Sequence, residues 1–340
     1  MTAPASLPSY NQTCTLDPTN VVYGALTEVS VEVTPGETRK FLLYVPNSYK
    51  SSMMKRREQS TGDAAPHYTP VALQLLFHGL NDNSDNFIKA TEFMPYAEQY
   101  NYIIASASGT LGWLGYAWNS GTCCGFTSEE KPNEFLFIQR IIEIITNEMN
   151  LCVHQDKLFA TGFSNGAMLA EVLGCHMPYT IRVATSVGGV VEVRPGNAEG
   201  LAKCTTLAKE ADKANGADGK RRTSVLMIRG DNDNMVAWGG NAILGFPSVE
   251  DDVKGWVSRN GCTSDVTTTM NTSFYENYIY ENCHVEEQAR HSPLERGGES
   301  IVELVRVKGG SHTWPEANNF STTDYIIDFT RRVFISFLDE

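Results

Sequence analysis

The sequence of 340 residues lacks the features that would direct a protein to a membrane or to nucleic acid. No apolar run approaches the roughly 18 residues that a membrane-spanning helix requires. Lysine and arginine number 27 against 40 aspartate and glutamate, so the net charge is −13. The basic cluster at 55–57 is interpreted as solvated surface, and no basic stripe is available to hold a phosphate backbone. We therefore expect neither a membrane nor a nucleic-acid partner.

Metal-binding or redox spacing is also missing, because none of the 8 cysteines forms a CxxC pair. An even number of cysteines without such spacing indicates disulfides and a secreted protein. Three N-x-S/T sequons, at Asn11, Asn271 and Asn319, favour the same compartment. The N-terminus has no apolar signal core, so we expect a mature form whose signal has been removed. A cytosolic protein with free thiols is the alternative.

Strand-like and helix-like segments alternate along the chain, without internal repeats or low-complexity tails. Apolar residues recur at three- and four-residue steps in 133–150 and in about 323–338, which predicts helices. The alternation predicts an α/β fold, with a mostly parallel eight-stranded sheet and helices on both faces. The predicted strands are 27–34, 39–45, 71–77, 102–107, 157–161, 184–188, 224–229 and 302–307.

Three segments fit this alternation poorly. Residues 50–69 are polar, and residues 194–223 are small and charged. Residues 262–300 contain two cysteines and a sequon, which predicts an extended loop or small hairpin held by a bridge. We predict a single domain over 1–340 that carries these three insertions.

Ser164 lies between two glycines in the stretch LFATGFSNGAMLAEVLGC (158–175). The residues before it are typical of a strand, and those after it are typical of a helix. A serine on a strand–turn–helix elbow is exposed above the sheet, and the helix N-terminus directs backbone N–H groups at developing negative charge. The alternative is an ordinary tight turn. We predict that Ser164 is a nucleophile.

A serine nucleophile needs a base and a carboxylate, which in this layout follow it along the chain, each in a loop after a strand. Asp233 lies in such a loop after SVLMIR, and His312 lies in a glycine-rich loop after VELVRV. The oxyanion hole should combine the backbone N–H of Asn165 with one from the LFHGL segment, either Leu80 or Gly79. No metal or organic cofactor is implied.

Several motifs, in order along the chain, resemble the secreted feruloyl esterase and polyhydroxybutyrate depolymerase group of carbohydrate esterases. They are LLFHGLNDN, WNSGTCCG, GFSNGAM, RGDNDNMVAWGG, VSRNGC and GGSHTWP. The resemblance implies an α/β-hydrolase fold, a triad of Ser164, Asp233 and His312, and an oxyanion hole at Leu80 and Asn165.

The chain departs from this group at two positions. The group usually has H-G-T-x-D where this chain reads R-G-D-N-D, so Asp233 aligns with the acid. Asp231, which stands where threonine is usual, remains an alternative acid. Leu80 stands where the depolymerases often have cysteine, which leaves backbone donation unaffected.

Cysteine spacing cannot fix the connectivity, but positions along the chain favour some pairs. We expect Cys262–Cys283 across one insertion and Cys175–Cys204 after the elbow, and we expect Cys152 to pair with Cys123 or Cys124. A vicinal bridge between the last two is the less favoured alternative.

Aromatic residues cluster in loops that should form the rim of the site. Trp113, Trp118, Trp238 and Trp314 are predicted to contact substrate, together with Tyr116. Ordinary packing under long loops is the alternative for each of them.

The predicted function is a secreted, monomeric serine esterase that forms an acyl-enzyme on its ester substrate, a feruloyl ester of the plant cell wall. Alternatives are a polyhydroxybutyrate or other polyester depolymerase and an acetyl xylan esterase. A catalytically silent hydrolase-fold binding protein and a peptidase are the rivals from other classes.

Overall fold

The computed structural model describes residues 14–59, 67–121, 123–124, 132–191, 199–215, 222–262, 266–268, 270–283, 300–314, 316–317 and 320–334. Their strands are β1 (Leu26–Thr34), β2 (Glu37–Tyr44), β3 (Val71–Phe77), β4 (Ile103–Ala107), β5 (Thr110–Gly112), β6 (Gly115–Ala117), β7 (Val153–Phe163), β8 (Val183–Val187), β9 (Ser224–Gly230), β10 (Tyr275–Cys283), β11 (Ser300–Val307), β12 (Glu316–Ala317) and β13 (Phe320–Ser321). Their helices are α1 (Asn47–Gln59), α2 (Ser84–Ala90), α3 (Phe93–Tyr100), α4 (Glu134–Glu143), α5 (Asn165–His176), α6 (Glu199–Asn215), α7 (Val249–Asn260) and α8 (Thr322–Val333), and a π-helix (Ile144–Glu148) continues α4.

One mixed sheet organises the fold, in the order β1-β2-β4-β3-β7-β8-β9-β11-β10. The strands from β4 to β11 in this order pair in parallel, and antiparallel strands flank them on both sides. Every residue of β3, β4, β8 and β9 is buried, because helices cover both faces of these strands. The predicted mostly parallel sheet is therefore confirmed.

All eight predicted strands are present, and a ninth, β10, corrects the predicted number. It lies within 262–300, where the predicted hairpin held by a bridge is confirmed, because antiparallel bridges join Thr267 to Ile279 and Asn271 to Glu276 and a disulfide joins Cys262 to Cys283. Its side chains alternate, with Asn277 and Ile279 buried and the neighbouring tyrosines only partly covered. Such alternation is typical of an antiparallel strand at the edge of a sheet, which needs no continuous apolar run.

The two predicted helices are present. Helix α4 begins after Asn133, whose side chain accepts a hydrogen bond from Leu136 N at 3.1 Å, and α8 occupies most of the second prediction. Part of the 194–223 insertion is the regular helix α6, and α1 occupies part of the 50–69 insertion. Among the described residues, no helix is both long and apolar enough to cross a membrane.

The core has one apolar layer on each face of the sheet. Along β3, Leu73 and Leu75 face the layer that includes α4 and α5, whereas Ala72 and Leu76 face the layer that includes α2, α3 and α8. Successive strand residues point to opposite faces, so one apolar strand serves both layers. The carboxyl ends of the parallel strands are left for the loops that carry the predicted site residues.

The disulfides confirm two predicted pairs and correct a third. The bridges are Cys14–Cys152, Cys123–Cys124, Cys175–Cys204 and Cys262–Cys283. The prediction that Cys152 pairs with Cys123 or Cys124 is wrong, because these residues lie at opposite ends of β7. Cys152 precedes that strand, whereas Cys123 packs against Met168 near the start of α5.

Candidate active site

The turn between β7 and α5 holds Ser164 at a positive φ that non-glycine residues rarely adopt, with φ 54° and ψ −120°. Its backbone N donates to Val187 O at 2.9 Å, which ties the turn to β8. A Cβ atom at Gly162 would collide with Gly166 O, and one at Gly166 would collide with Phe77 O. The two glycines therefore let the start of α5 cross closely over β7 and β3, which presents the serine above the sheet.

Ser164, His312 and Asp233 lie in one hydrogen-bonded line, although they come from three loops. Ser164 Oγ lies 2.9 Å from His312 Nε2, and His312 Nδ1 lies 2.7 Å from Asp233 Oδ2. With the carboxylate accepting from Nδ1–H, Nε2 is free to accept the serine proton. The ring of Phe163 packs against the imidazole at 5.1 Å, and a Cβ atom at Gly188 would lie 3.5 Å from the imidazole. This arrangement can activate a serine hydroxyl.

Asp233 is held in its ionised form by its surroundings. Its Oδ1 accepts hydrogen bonds from Met235 N at 2.8 Å and Val236 N at 2.9 Å. Burial would by itself raise the pKa of Asp233, but the bond from His312 and these two backbone bonds outweigh it and lower the pKa. The carboxylate is therefore charged and oriented towards the imidazole.

Asp231, the alternative acid, is engaged elsewhere. Its carboxylate pairs with the Arg306 guanidinium at 2.9 Å and accepts from Gly309 N at 2.6 Å. Asn232 N in turn donates to Gly310 O at 3.0 Å. Asp231 therefore fastens the acid loop to the loop that carries His312.

The predicted oxyanion donors lie beside the serine. Asn165 begins α5, so its N–H is at a helix N-terminus. Gly79 and Leu80 follow β3, and a Cβ atom on Gly79 would lie 3.6 Å from Ser164 Cβ. The Gly79 segment and the start of α5 thus both lie beside the nucleophile, and donation by the N–H groups of Leu80 and Asn165 stays a prediction.

The four predicted tryptophans divide between surface and interior. Trp113 is 73% exposed at the β5–β6 hairpin. Trp238 donates to Glu250, and Trp314 packs edge-on against Phe87 at 5.5 Å, so both are partly covered. Substrate contact by these three stays a prediction.

The prediction that Trp118 contacts substrate is wrong, because its side chain is fully buried. It packs on Phe77 at 5.4 Å and donates from Nε1 to His78 O at 2.8 Å. It has no exposed surface to offer a substrate.

His78 is the main site residue whose role the sequence did not reveal. Its buried ring lies beside the predicted oxyanion segment, with Nδ1 2.7 Å from Gly79 O, and its Nε2 accepts from Gly109 N, on the loop after β4, at 2.9 Å. Only its position directly before Gly79 could have indicated this. Among the described residues, no cluster of three potential metal-binding side chains is found.

Comparison with known proteins supports an ester hydrolase. A family described as Phospholipase/Carboxylesterase matches residues 64–210. Feruloyl esterase B of Piromyces equi is 25% identical over 277 residues, which are 79% of this chain and 43% of that protein. The chain thus spans less than half the length of this relative.

Solved structures show the same fold. Acetyl xylan esterase from Aspergillus awamori matches with a TM-score of 0.58 at 16% identity, covering 90% of this chain and 99% of the other. A ferulic acid esterase matches with a TM-score of 0.51 at 12% identity, covering 91% and 98%. The predicted α/β-hydrolase fold and the resemblance to the feruloyl esterase group are confirmed, and together with the carboxylesterase match they support a serine esterase.

Proposed function

We propose that this chain, a feruloyl esterase-like α/β-hydrolase, cleaves feruloyl esters of plant cell-wall saccharides through an acyl-enzyme. The observation that carries the proposal is the line from Ser164 Oγ through His312 to Asp233, with separations of 2.9 and 2.7 Å. A structural serine turn would not require an imidazole in reach of the hydroxyl and a buried carboxylate behind it.

In the first half-reaction, Ser164 Oγ attacks the ester carbonyl carbon while His312 Nε2 takes its proton. The carbonyl oxygen becomes an oxyanion that the N–H groups of Leu80 and Asn165 stabilise. Asp233 stabilises the imidazolium through Nδ1–H. The ester C–O bond then breaks, and His312 returns the proton to the leaving alcohol oxygen.

In the second half-reaction, water attacks the acyl-enzyme carbonyl. His312 takes a proton from the water, and the second oxyanion occupies the same hole. Collapse breaks the bond to Ser164 Oγ, which regains the proton from His312, and the carboxylic acid leaves. No step requires a metal or an organic cofactor.

The feruloyl preference rests on the relative and on aromatic surface beside the site. The similar protein from Piromyces equi is a feruloyl esterase. Trp113 and Tyr116 are 73% and 47% exposed, and Asn81 N donates to Tyr116 O at 2.7 Å, next to the oxyanion segment. A flat aromatic acyl group suits stacking against such rings.

We also propose that the chain acts as one secreted, monomeric catalytic domain. Its eight cysteines form four bridges, which is typical of oxidising compartments. Of the three sequons, Asn271 is exposed and open to a glycan, and the other two lie outside the described residues.

The test compares methyl ferulate, p-nitrophenyl acetate and polyhydroxybutyrate powder, with wild type and Ser164→Ala in parallel. We expect preference for ferulate that Ser164→Ala loses by several orders of magnitude while staying folded. Preference for acetate or clearing of the polymer would favour those alternatives. Near-native turnover by Ser164→Ala would refute the triad, and failure of wild type to react with a fluorophosphonate would favour a silent binding protein.

A further inference from the structure

The two oxyanion segments are joined by a buried polar chain that begins at the side chain of Asn165. Its Oδ1 accepts from Trp118 N at 2.7 Å, and its Nδ2 donates to Trp118 O at 3.1 Å and to Ser120 Oγ at 3.2 Å. Both backbone groups of Trp118 are therefore bound by the residue whose N–H is the proposed oxyanion donor. This pairing fixes Trp118 relative to the start of α5.

The chain continues through the indole of Trp118, whose Nε1 donates to His78 O at 2.8 Å. The indole and imidazole rings pack at a centroid distance of 5.1 Å, and both side chains are buried. A buried hydrogen bond of this kind is costly to break, because its partners have no water to replace it. The position of His78 is therefore tied to that of Trp118.

The ring of His78 completes the chain at the second donor. Nδ1 lies 2.7 Å from Gly79 O and Nε2 lies 2.9 Å from Gly109 N, so Nδ1 donates and Nε2 accepts. Only neutral imidazole can do both. Burial lowers the pKa of His78, although the bond to Gly79 O opposes the shift, and so favours the neutral form.

Holding Gly79 O also sets the direction of the next N–H. The peptide bond between Gly79 and Leu80 is trans, so its C=O and N–H point in opposite directions. When His78 holds the carbonyl on one side, Leu80 N–H is directed to the other side. A rotation of this peptide would move the donor out of line.

We propose that Trp118 and His78 are positioning residues that hold the two oxyanion donors, at Leu80 and Asn165, in register with each other. The proposal rests on the acyl-enzyme function proposed above. Neither side chain touches the substrate. Both act through the donors, whose stabilisation of the oxyanion depends on fixed placement before the reaction.

The test uses variants that remove one link at a time. Trp118→Phe removes the Nε1–H. His78→Asn keeps an amide donor near Gly79 O, whereas His78→Gln keeps an acceptor near Gly109 N. Since small misplacement of reacting groups costs up to about 100-fold, we expect Trp118→Phe and His78→Gln to lower kcat on methyl ferulate by roughly 10- to 100-fold, with little change in KM, and His78→Asn to retain more activity.

Two further readouts separate positioning from general damage. Affinity for a boronic acid that forms a tetrahedral adduct with the serine should fall in proportion to kcat/KM, whereas the pH profile of kcat/KM should keep its shape because the triad is intact. The matched control is Trp256→Phe, which deletes another buried indole donor, bonded to Glu171 at 2.9 Å, and should leave kcat unchanged.

The outcomes distinguish this inference from the proposed function. If Ser164→Ala is inactive while folded Trp118→Phe and His78→Gln keep native kcat and boronate affinity, the positioning role is refuted and the esterase stands. Losses confined to KM, or equal losses in Trp256→Phe, would also refute it. If Trp118→Phe does not fold, the two His78 variants decide. If Ser164→Ala remains active, the proposed function itself fails.

Discussion

Replacing Arg229 tests what stabilises β9, the strand before the loop that carries Asp233. Arg229 stands where the feruloyl esterase group usually has histidine, and its side chain is 1% exposed. Its guanidinium lies 3.0 Å from Glu171 Oε1, donates to Ser186 O at 2.6 Å and lies 3.7 Å from Asp252. Burial and the nearby Glu171 carboxylate raise the pKa of Asp252, so the arginine chiefly compensates Glu171.

Arg229→Met removes the cation and leaves Glu171 buried, with the Trp256 Nε1–H at 2.9 Å as a remaining donor. Removing one partner of a buried ion pair costs about 3–5 kcal/mol, out of a total stability of about 5–15 kcal/mol. With roughly 2 °C per kcal/mol in a domain of this size, we expect Tm to fall by about 6–10 °C.

The assay is urea unfolding of Arg229→Met, Glu171→Met and the double variant, together with thermal melting. The double variant should be more stable than Arg229→Met alone, because the buried carboxylate of Glu171 is no longer left without its cation. The control is Lys40→Met, which breaks the exposed pair with Glu28 at 2.6 Å and should cost less than about 1 kcal/mol. A loss for Arg229→Met no larger than the control's, or strictly additive losses in the double variant, would refute the reasoning.

Three further predictions concern the acid, the buried imidazole and one bridge. Asp233→Asn should lower kcat by about 10⁴-fold. Asp231→Asn should keep kcat within about tenfold of the wild type, because the Asp231 carboxylate pairs with the guanidinium of Arg306 on β11. The reverse ranking in ferulate assays would make Asp231 the acid. Folding lowers the pKa of His78, so the unfolded chain takes up the imidazole proton before the folded chain does as pH falls below 6.5. The free energy of unfolding should therefore decrease below pH 6.5. Urea titrations above and below that pH should show a smaller decrease in His78→Gln than in the wild type. Replacing Cys175 and Cys204 by serine opens a bridge with a sequence separation of 29 and should lower the unfolding free energy by about 3 kcal/mol, while unchanged denaturant midpoints would contradict this.

Strands were predicted most accurately where burial on both faces requires a continuous run of apolar residues. The strand at Val71–Phe77 was predicted to the residue. The strand at Tyr275–Cys283 was not, because an edge strand needs no continuous apolar run, and this one carries glutamate, tyrosine and even a buried asparagine, Asn277. The helix at Glu199–Asn215 was read as an insertion, since its short alanine and lysine stretches resemble surface loop.

The grouping of Ser164, Asp233 and His312 could be predicted because the chemistry of a serine nucleophile requires its partners in a fixed order along the chain. A nucleophile elbow demands a later acid and histidine after strands, and the structure brings Ser164, Asp233 and His312 together. Trp118 was misjudged because the sequence places a ring in a loop without saying which way it points. The Cys14–Cys152 bridge could not be foreseen, because its ends are 138 residues apart and meet only once the sheet is formed.

The position of β11 makes activity depend on completed synthesis of the chain. It is made after β10, yet it lies between β9 and β10, and the loop that follows it carries His312. A nascent chain that stops before Ser300 contains Ser164 and Asp233 but lacks His312, the proposed general base. It also leaves one edge of the fully buried β9 without its partner, which is a template for pairing with another chain. Prematurely terminated products should therefore aggregate and be removed by proteolysis, so no partly active esterase would accumulate.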